Sequence, residues 1–371
     1  LQILPHNFIL KPRQVRDGKA YKDDPGVIKQ LNTIKSLFSK ADRIIVATDA
    51  GREGELIFRF IYNYLECKKL FDRLWISSLT DRAIREGLQN LRPGNDYDNL
   101  YYSAKARSQA DWLVGINASQ ALAIAAGRGV WSLGRVQTPT LAIICARYLE
   151  NKSFKPQTYF HLKLHTAKDA TVFPALSVEK YEQKEAAKTA FSAVTEAGEV
   201  QVVKVERKEI NQQPPLPYDL TALQKEVNSK YGFSADKTLN IAQGLYEAKL
   251  ITYPRTGSRY ISTDIMDEIP ELISRIKAYE RFSTYVGEMD FKKLNNRAVD
   301  DKKITDHHAI LPTENIPKEL TADQRTIYEM IAGRMLEAFS PVCRKESTSV
   351  HLKCAGMDFT AKGSVILSAG W

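Results

Sequence analysis

Cysteine is scarce. Only Cys67, Cys145, Cys343 and Cys354 occur, far apart, and none forms a C-x-x-C pair. That argues against a zinc ribbon within this chain, and scattered, mostly apolar-flanked thiols suit a reducing cytoplasm. No apolar run approaches the length of a membrane span, so no membrane partner is expected. The opening "LQILPHNFILKPRQ" is broken by Pro5, His6 and Asn7 and does not read as a secretory signal. Internal repeats and low-complexity tracts are lacking too. An initiating Met is absent, which leads to the expectation of a fragment that starts inside a domain.

What is present is a soluble globular composition, 43% hydrophobic and 26% charged. At 371 residues the chain exceeds what one core normally serves, so two to four domains are expected. A net charge of +9 favours a polyanionic partner, although many basic proteins bind none.

In "ADRIIVATDAGREGELIFRFIYNYLEC" the run Ile44 to Ala47 reads as a buried parallel strand. A glycine-containing turn follows. Then Leu56, Ile57, Phe60, Ile61, Tyr64 and Leu65 recur at helical spacing. Ligands sit at the carboxyl ends of strands in such α/β units. Residues 100–150 read as helical, interrupted by "GRGVWSLGRVQ". From about 156 the pattern becomes strand-like in "TYFHLKLHT" and "VQVVKVERKEI", and again in "STSVHLKCAGMDFTAKGSVIL" near the end. Both runs are expected to belong to one β-rich domain with residues 215–340 inserted. After the proline-rich "NQQPPLPYDL", Leu220, Leu223, Val227 and Tyr231 mark one helix. Ser234 is the expected N-cap of a second. The pair resembles a helix-turn-helix or winged-helix unit. A short strand carrying Tyr253 is expected next.

Four stretches could carry chemistry. In "TDAGREGE", Asp49 ends a strand, and Glu53 and Glu55 follow on the turn and first helical residues. Converging carboxylate oxygens there suit Mg²⁺; the plain alternative is acids favoured at a helix N-terminus. In "WSLGRVQTPT", Gly134 allows close backbone approach and Arg135 supplies a phosphate fork. Gln137 and Thr138 can donate to phosphate or sugar; the alternative is a plain loop with a helix starting at Pro139. In "TDHHAILPT", His307 and His308 could ligate metal, or a histidine oriented by Asp306 could bond a phosphate; the alternative is a loop entering a helix capped by Thr313. In "ITYPRTGSRY", Tyr253 lies near Arg255 and Arg259. This is either a half-buried tyrosine before a turn or a nucleophile whose phosphate is neutralised by arginine.

Taken in order and spacing, these four stretches resemble the type IA DNA topoisomerases, most closely the bacterial topoisomerase III branch, over essentially the whole chain. The resemblance implies that Tyr253 attacks a DNA phosphate to form a 5′-phosphotyrosyl link. An aryl oxide is a good leaving group, so religation needs no ATP. Arg255 would hold the scissile phosphate, and His307 would stand near it, next to His308. Asp49 matches the first and Glu53 the third acid of the family's D-x-D-x-E motif, as Mg²⁺ ligands with Glu53 also catalytic. Gly51 stands where the second Asp is often found, which leaves the metal site one carboxylate short. Ser132, Leu133, Gly134, Arg135, Val136 and Gln137 match a DNA-contacting loop. Arg107, Asp111 and Ser119 match a single-strand channel, where Asp111 either accepts from a base or orients a neighbouring Arg.

The implied fold is multidomain α/β plus α+β, a toroidal type IA topoisomerase core. Its expected parts are a TOPRIM remnant (1–85), a helical base domain (86–155), a β-rich gate domain in two parts (156–213 and 341–371) and an inserted winged-helix-like tyrosine domain (214–340). The family's first TOPRIM strand, with its Glu and Lys, and the return of the gate to the base are expected to fall outside the chain, truncating it at both ends. The implied partner is DNA, single strands preferred. Two other classes compete: a non-catalytic single-strand-binding module, and a TOPRIM primase or nuclease, which shares the acidic turn but needs no Tyr-x-Arg.

Overall fold

The computed structural model describes residues 7–77, 81–127, 129, 131–168, 171–304 and 306–371. Arg128 and Val130 of the glycine-rich stretch, Thr305, and the start of the "LQILPHNF" segment thus lie outside the described residues. Two compact units emerge. The first comprises Leu1–Lys152, Arg255–Glu268 and Asp300–Ala309; the second comprises Ser153–Pro254, Ile269–Val299 and Ile310–Trp371. Among the described residues no helix is long and apolar enough to cross a membrane.

In the first unit, β1 (Gln14–Asp17) and β2 (Ala20–Asp23) form an antiparallel hairpin. Helix α1 (Pro25–Lys40) starts where Asp24 accepts the N–H groups of Gly26 and Val27. Strand β3 (Ile44–Val46), helix α2 (Arg52–Tyr64) and strand β4 (Phe71–Arg73) make the expected α/β unit, with β3 and β4 parallel. After α3 (Asp81–Gln89), β5 (Arg92–Pro93) adds an antiparallel edge to β4. The long α4 (Asp98–Ala125) and α5 (Gln137–Lys152) follow.

Two expectations change here. The apolar run does not make a strand buried on both faces: Ile44 and Val46 are buried against Phe58, Phe38 and Phe71, while Ile45 is 49% exposed. On α2 the buried face is Gly54, Glu55, Leu56 and Phe58, and Ile57 points to solvent. α5 buries no residue, and Leu141, Ile143, Ile144 and Leu149 stand exposed along it.

In the second unit, β6 (Lys163–Lys168), β7 (Thr171–Ser177), α6 (Lys184–Ala197) and β8 (Gln201–Gln212) precede the helices α7 (Leu220–Tyr231), α8 (Ala235–Glu247), α9 (Thr263–Ile276, of which residues 263–268 count with the first unit), α10 (Ser283–Glu288) and α11 (Ala322–Phe339). Strands β9 (Cys343–Cys354) and β10 (Met357–Ser368) close the chain. The sheet order is β6-β7-β10-β9-β8, each neighbouring pair antiparallel. The two strand-rich runs therefore share one sheet, although five helices separate them in sequence. β9 and β10 are joined by Ala355 and Gly356, both at positive φ (49° and 78°), the geometry of a tight two-residue hairpin. Leu162, Ala175, Leu352 and Phe359 form the core beneath this sheet, and Val194 of α6 packs on it.

The helical pair is as expected. Asp219 caps α7 through the Ala222 N–H, and Ser234 caps α8 through the Lys237 N–H. No strand carries Tyr253, however. Only Ile251 makes a single bridge, to Pro312, and Pro254, lacking an N–H, prevents a ladder from continuing. Nor does Thr313 cap a helix. Its hydroxyl donates to the Lys249 carbonyl at 2.5 Å, and the next helix waits for the capping box of Thr321 and Gln324.

One buried ion pair holds the loop after β3. Arg73 and Glu55 are both fully buried, with Arg73 Nε donating to Glu55 Oε2 at 3.0 Å. The same guanidinium donates to the carbonyls of Val46 (3.0 Å), Thr48 (2.6 Å) and Asp49 (2.5 Å). Arg59 binds the other Glu55 oxygen at 2.8 Å. Burial lowers the pKa of Arg73 and the Glu55 charge opposes that shift, but a guanidinium stays protonated regardless. Glu55 is therefore a structural counter-ion, and its carboxylate is not available to a metal. Removing one partner of such a pair strands the other charge, which typically costs about 3–5 kcal/mol. Glu55→Ala should lose stability of that order in urea unfolding followed by circular dichroism, whereas a loss below about 1 kcal/mol would place the pair among the weak surface type.

Candidate active site

The acidic turn is a tight one. The Gly51 N–H donates to the Asp49 carbonyl at 2.8 Å, and the Thr48 hydroxyl donates to the Gly54 carbonyl at 2.8 Å. Gly54 packs directly under Asp49: a Cβ there would collide with the Asp49 carbonyl oxygen, so the turn admits no side chain at 54. These constraints leave the Asp49 carboxylate 60% exposed at the end of β3. Glu53 is exposed on the first turn of α2, where the helix dipole favours an acid.

Segment 300–309 folds onto this turn within the same unit. His307 Nε2 lies 3.5 Å from Asp49 Oδ2, with the His307 side chain only 18% exposed. Asp306 stands over Gly51, where a Cβ would fall 2.5 Å from its Oδ1. The adjacent histidines diverge, as alternating side chains do. His308 is buried, its Nδ1–H donates to the Ala309 carbonyl at 2.7 Å, and burial lowers its pKa, keeping it neutral. It is a core residue.

Two hydroxyls outside the four motif-bearing side-chain sets brace this segment. Buried Thr256 donates to the His307 carbonyl at 2.8 Å, and buried Ser258 donates to the Lys303 carbonyl at 3.0 Å. The Ala309 N–H donates to the Tyr260 carbonyl at 2.9 Å. Small hydroxyls two apart in "RTGSRY" were the only available signal. Arg255, at the head of the same stretch, is exposed. Tyr253, two residues earlier, belongs to the second unit. It is half-buried, with its ring edge-on to Tyr246 at 5.3 Å between centroids.

The expected DNA-contacting residues of α4 and the following loop do meet. Ser119 Oγ accepts the Leu133 N–H at 2.9 Å. The Gly134 N–H donates to Thr138 Oγ1 at 3.0 Å, and the Gln137 amide donates to Ser132 Oγ at 2.7 Å. Gln137 and Thr138 thus hold the loop's own shape. Arg135 forks onto Asp111, Nη2 to Oδ2 at 3.1 Å and Nε to Oδ1. This pairing lowers the pKa of Asp111 and raises that of Arg135. Of the two roles open to Asp111, orienting an Arg is the one seen. Arg107, one helical turn before it, is exposed. Asp111, Gly115, Leu133, Arg135, Gln137 and Thr140 line an open groove. α5 starts at Gln137, earlier than Pro139, which fits in its first turn because no N–H is needed there.

Among the described residues no three His, Cys, Asp or Glu side chains form a ready-made metal cage. Oxygen donors nevertheless dominate the acidic turn: Asp49, Glu53 and the Asp306 carboxylate above Gly51. Such a set fits a hard cation that keeps most of its waters.

A family model described as DNA topoisomerase matches residues 95–371, and one described as Toprim domain matches residues 15–79. The chain is 43% identical over 355 residues to the DNA topoisomerase 3 of Bacillus cereus strain ATCC 14579, covering 92% of this chain and 48% of that protein. It is 40% identical over 359 residues to the DNA topoisomerase 3 of Bacillus subtilis strain 168, with the same coverage. It spans about half the length of these curated relatives. Among solved structures, full-length topoisomerase I from Thermotoga maritima superposes with a TM-score of 0.68 at 28% identity, over 93% of this chain and 57% of that one.

The groove loop offers a direct check. Ser119→Ala removes the acceptor of the Leu133 N–H, a loss of about 0.5–1.5 kcal/mol. Faster amide hydrogen exchange confined to residues 133–134 is the expected result, with α4 remaining helical by circular dichroism.

Proposed function

The chain belongs to the DNA topoisomerase family, and from that premise we propose that it carries the strand-cleaving core of a type IA, topoisomerase III-like enzyme. Tyr253 is the nucleophile. Its oxygen bonds to a DNA phosphorus as the bond to the 3′ oxygen breaks, leaving a 5′-phosphotyrosyl link and a free 3′ hydroxyl. The reverse attack by that hydroxyl reseals the strand and releases the phenol, so no ATP is consumed. Passing a strand between the two steps relaxes or decatenates DNA.

Arg255 fixes the scissile phosphate with a charge that does not titrate. His307, turned toward Asp49, donates a hydrogen bond near the same phosphate. Asp49 and Glu53 would hold Mg²⁺, with Glu53 also serving the reaction. When bound, the ion neutralises phosphate charge. Ser132, Leu133, Gly134, Arg135, Val136 and Gln137, with Arg107, Asp111 and Ser119, take up single-stranded DNA along the groove. In this reading residues 1–85 are the TOPRIM part and 86–155 the base. Residues 156–213 with 341–371 form the gate, 214–340 are the tyrosine domain, and the place of action is the cytoplasm, at the DNA.

The observation that carries this reading is the approach of His307 Nε2 to Asp49 Oδ2 at 3.5 Å. Two motifs far apart in sequence meet at one point, as a shared phosphate requires. A simple binding module has no use for that convergence, and a primase has none for Tyr-x-Arg.

Mixing protein that contains this chain with single-stranded DNA and denaturing it should trap a covalent adduct. Tyr253→Phe should trap none while binding DNA nearly as well. Wild-type adduct yield from the Phe variant would end the assignment.

Binding should favour single strands over blunt duplex and weaken with salt, by about 0.7 in log–log slope per phosphate contact. Arg135→Ala should lower that slope by about 0.7 in a filter-binding titration. An unchanged slope would place Arg135 off the DNA path.

A further inference from the structure

We infer that Asp306 supplies to the Mg²⁺ site the carboxylate that position 51 lacks. This inference rests on the metal reading above. Gly51 stands between Asp49 and Arg52 on the acidic turn, where no side chain projects. The space a side chain would enter is occupied all the same. A Cβ built at Gly51 would lie 2.5 Å from Asp306 Oδ1, 2.6 Å from its Cγ and 2.8 Å from its Oδ2. Standard bond lengths put the oxygens of any aspartate about 2.4 Å from its own Cβ. The oxygens of Asp306 therefore sit at nearly the radius from residue 51 that an aspartate's own oxygens would have, but arrive from the facing segment.

The consequences are steric and electrostatic. A side chain at 51 and the present place of Asp306 exclude each other, so a residue there would displace the Asp306 carboxylate. The backbone of Gly51 is extended (φ −160°), a conformation open to any residue, and the nearest atoms a Cβ there would meet are those of the Asp306 carboxylate. Asp306 is also the chain neighbour of His307, whose imidazole approaches Asp49. Acids gathered on one exposed turn repel one another unless a cation lies among them. Mg²⁺ retains waters and needs few direct protein ligands, so the oxygens of Asp306 would add acceptors to a site that has few.

Mg²⁺ titrated alone into the 371-residue chain by isothermal calorimetry tests this, with melting temperature in EDTA recording the fold of each variant. Asp306→Asn should weaken Mg²⁺ binding about tenfold or more and leave the EDTA melting temperature unchanged, since the side chain is exposed. Asp306→Gly should bind as weakly. Gly51→Asp combined with Asp306→Gly returns the carboxylate to the turn and should restore affinity to within about threefold of the parent. Gly51→Asp alone, which forces the two carboxylates into one space, should not improve on the parent. Parent-like binding by Asp306→Asn, with binding lost in Asp49→Asn, would overturn the role of Asp306 alone. A double variant no better than Asp306→Gly would do the same. A parent chain that binds no Mg²⁺ would overturn the metal reading and this inference together.

Discussion

The buried contact between Arg73 and Glu55 sets the geometry on which the acidic turn depends. Past the end of β3 the carbonyls of Thr48 and Asp49 have no ladder partner, whereas that of Val46 also accepts the Leu74 N–H at 3.0 Å, and buried carbonyls must be satisfied. One guanidinium reaches all three. A charge that deep is tolerable only beside a counter-charge, and Glu55 on α2 supplies it while Arg59 satisfies its second oxygen. Strand end, turn and helix start are thereby tied to one planar group. Asp49 points outward because its own carbonyl is held from behind.

The same logic recurs wherever this chain positions a polar side chain. Among its described residues, segment 300–309 has only the 3-10 turn Asp301–Lys303 as regular structure, yet it is anchored by the hydroxyls of Thr256 and Ser258 and by the Tyr260 carbonyl. The loop after α4 is anchored by Ser119 and Thr138 and leaves Arg135 paired with Asp111 at the groove edge. That pair is half exposed, so its value lies in holding the guanidinium plane, with little contribution to stability. Under the proposed function, a phosphate at Arg135 would meet a fork already oriented, which lowers the entropy lost on binding.

Much of this was legible in the sequence. The 3.6-residue spacing of apolar positions, the Asp and Ser caps and the alternating runs marked α2, α7, α8 and the strands, because those signals are local. The order of TDAGREGE, SLGRVQ, TYPR and DHHAI marked the family. Local pattern also misled. Glu55 sits in the acidic motif beside Glu53, yet one is buried against Arg73 and the other open to solvent, and nothing at i±4 distinguishes them except the position of Arg59. The strand expected at Tyr253 failed because Pro254 has no N–H for a ladder, and the plain alternative of a helix capped by Thr313 failed because its hydroxyl donates to the Lys249 carbonyl instead.

What the sequence determined by itself, then, was the set of chemical parts and their order: helices from periodicity, caps from side-chain oxygens, and a phosphate-handling repertoire of acids, arginines, a tyrosine and a histidine. Only the tertiary structure decided which of those parts touch. It turned Glu55 inward and Asp49 outward, buried His308 while bringing His307 to Asp49, and set the carboxylate of Asp306 over a glycine far from it in the chain. The reason is physical. A side chain's role depends on the dielectric and the partners around it, and those are set by contacts between residues far apart in sequence, which no local spacing records.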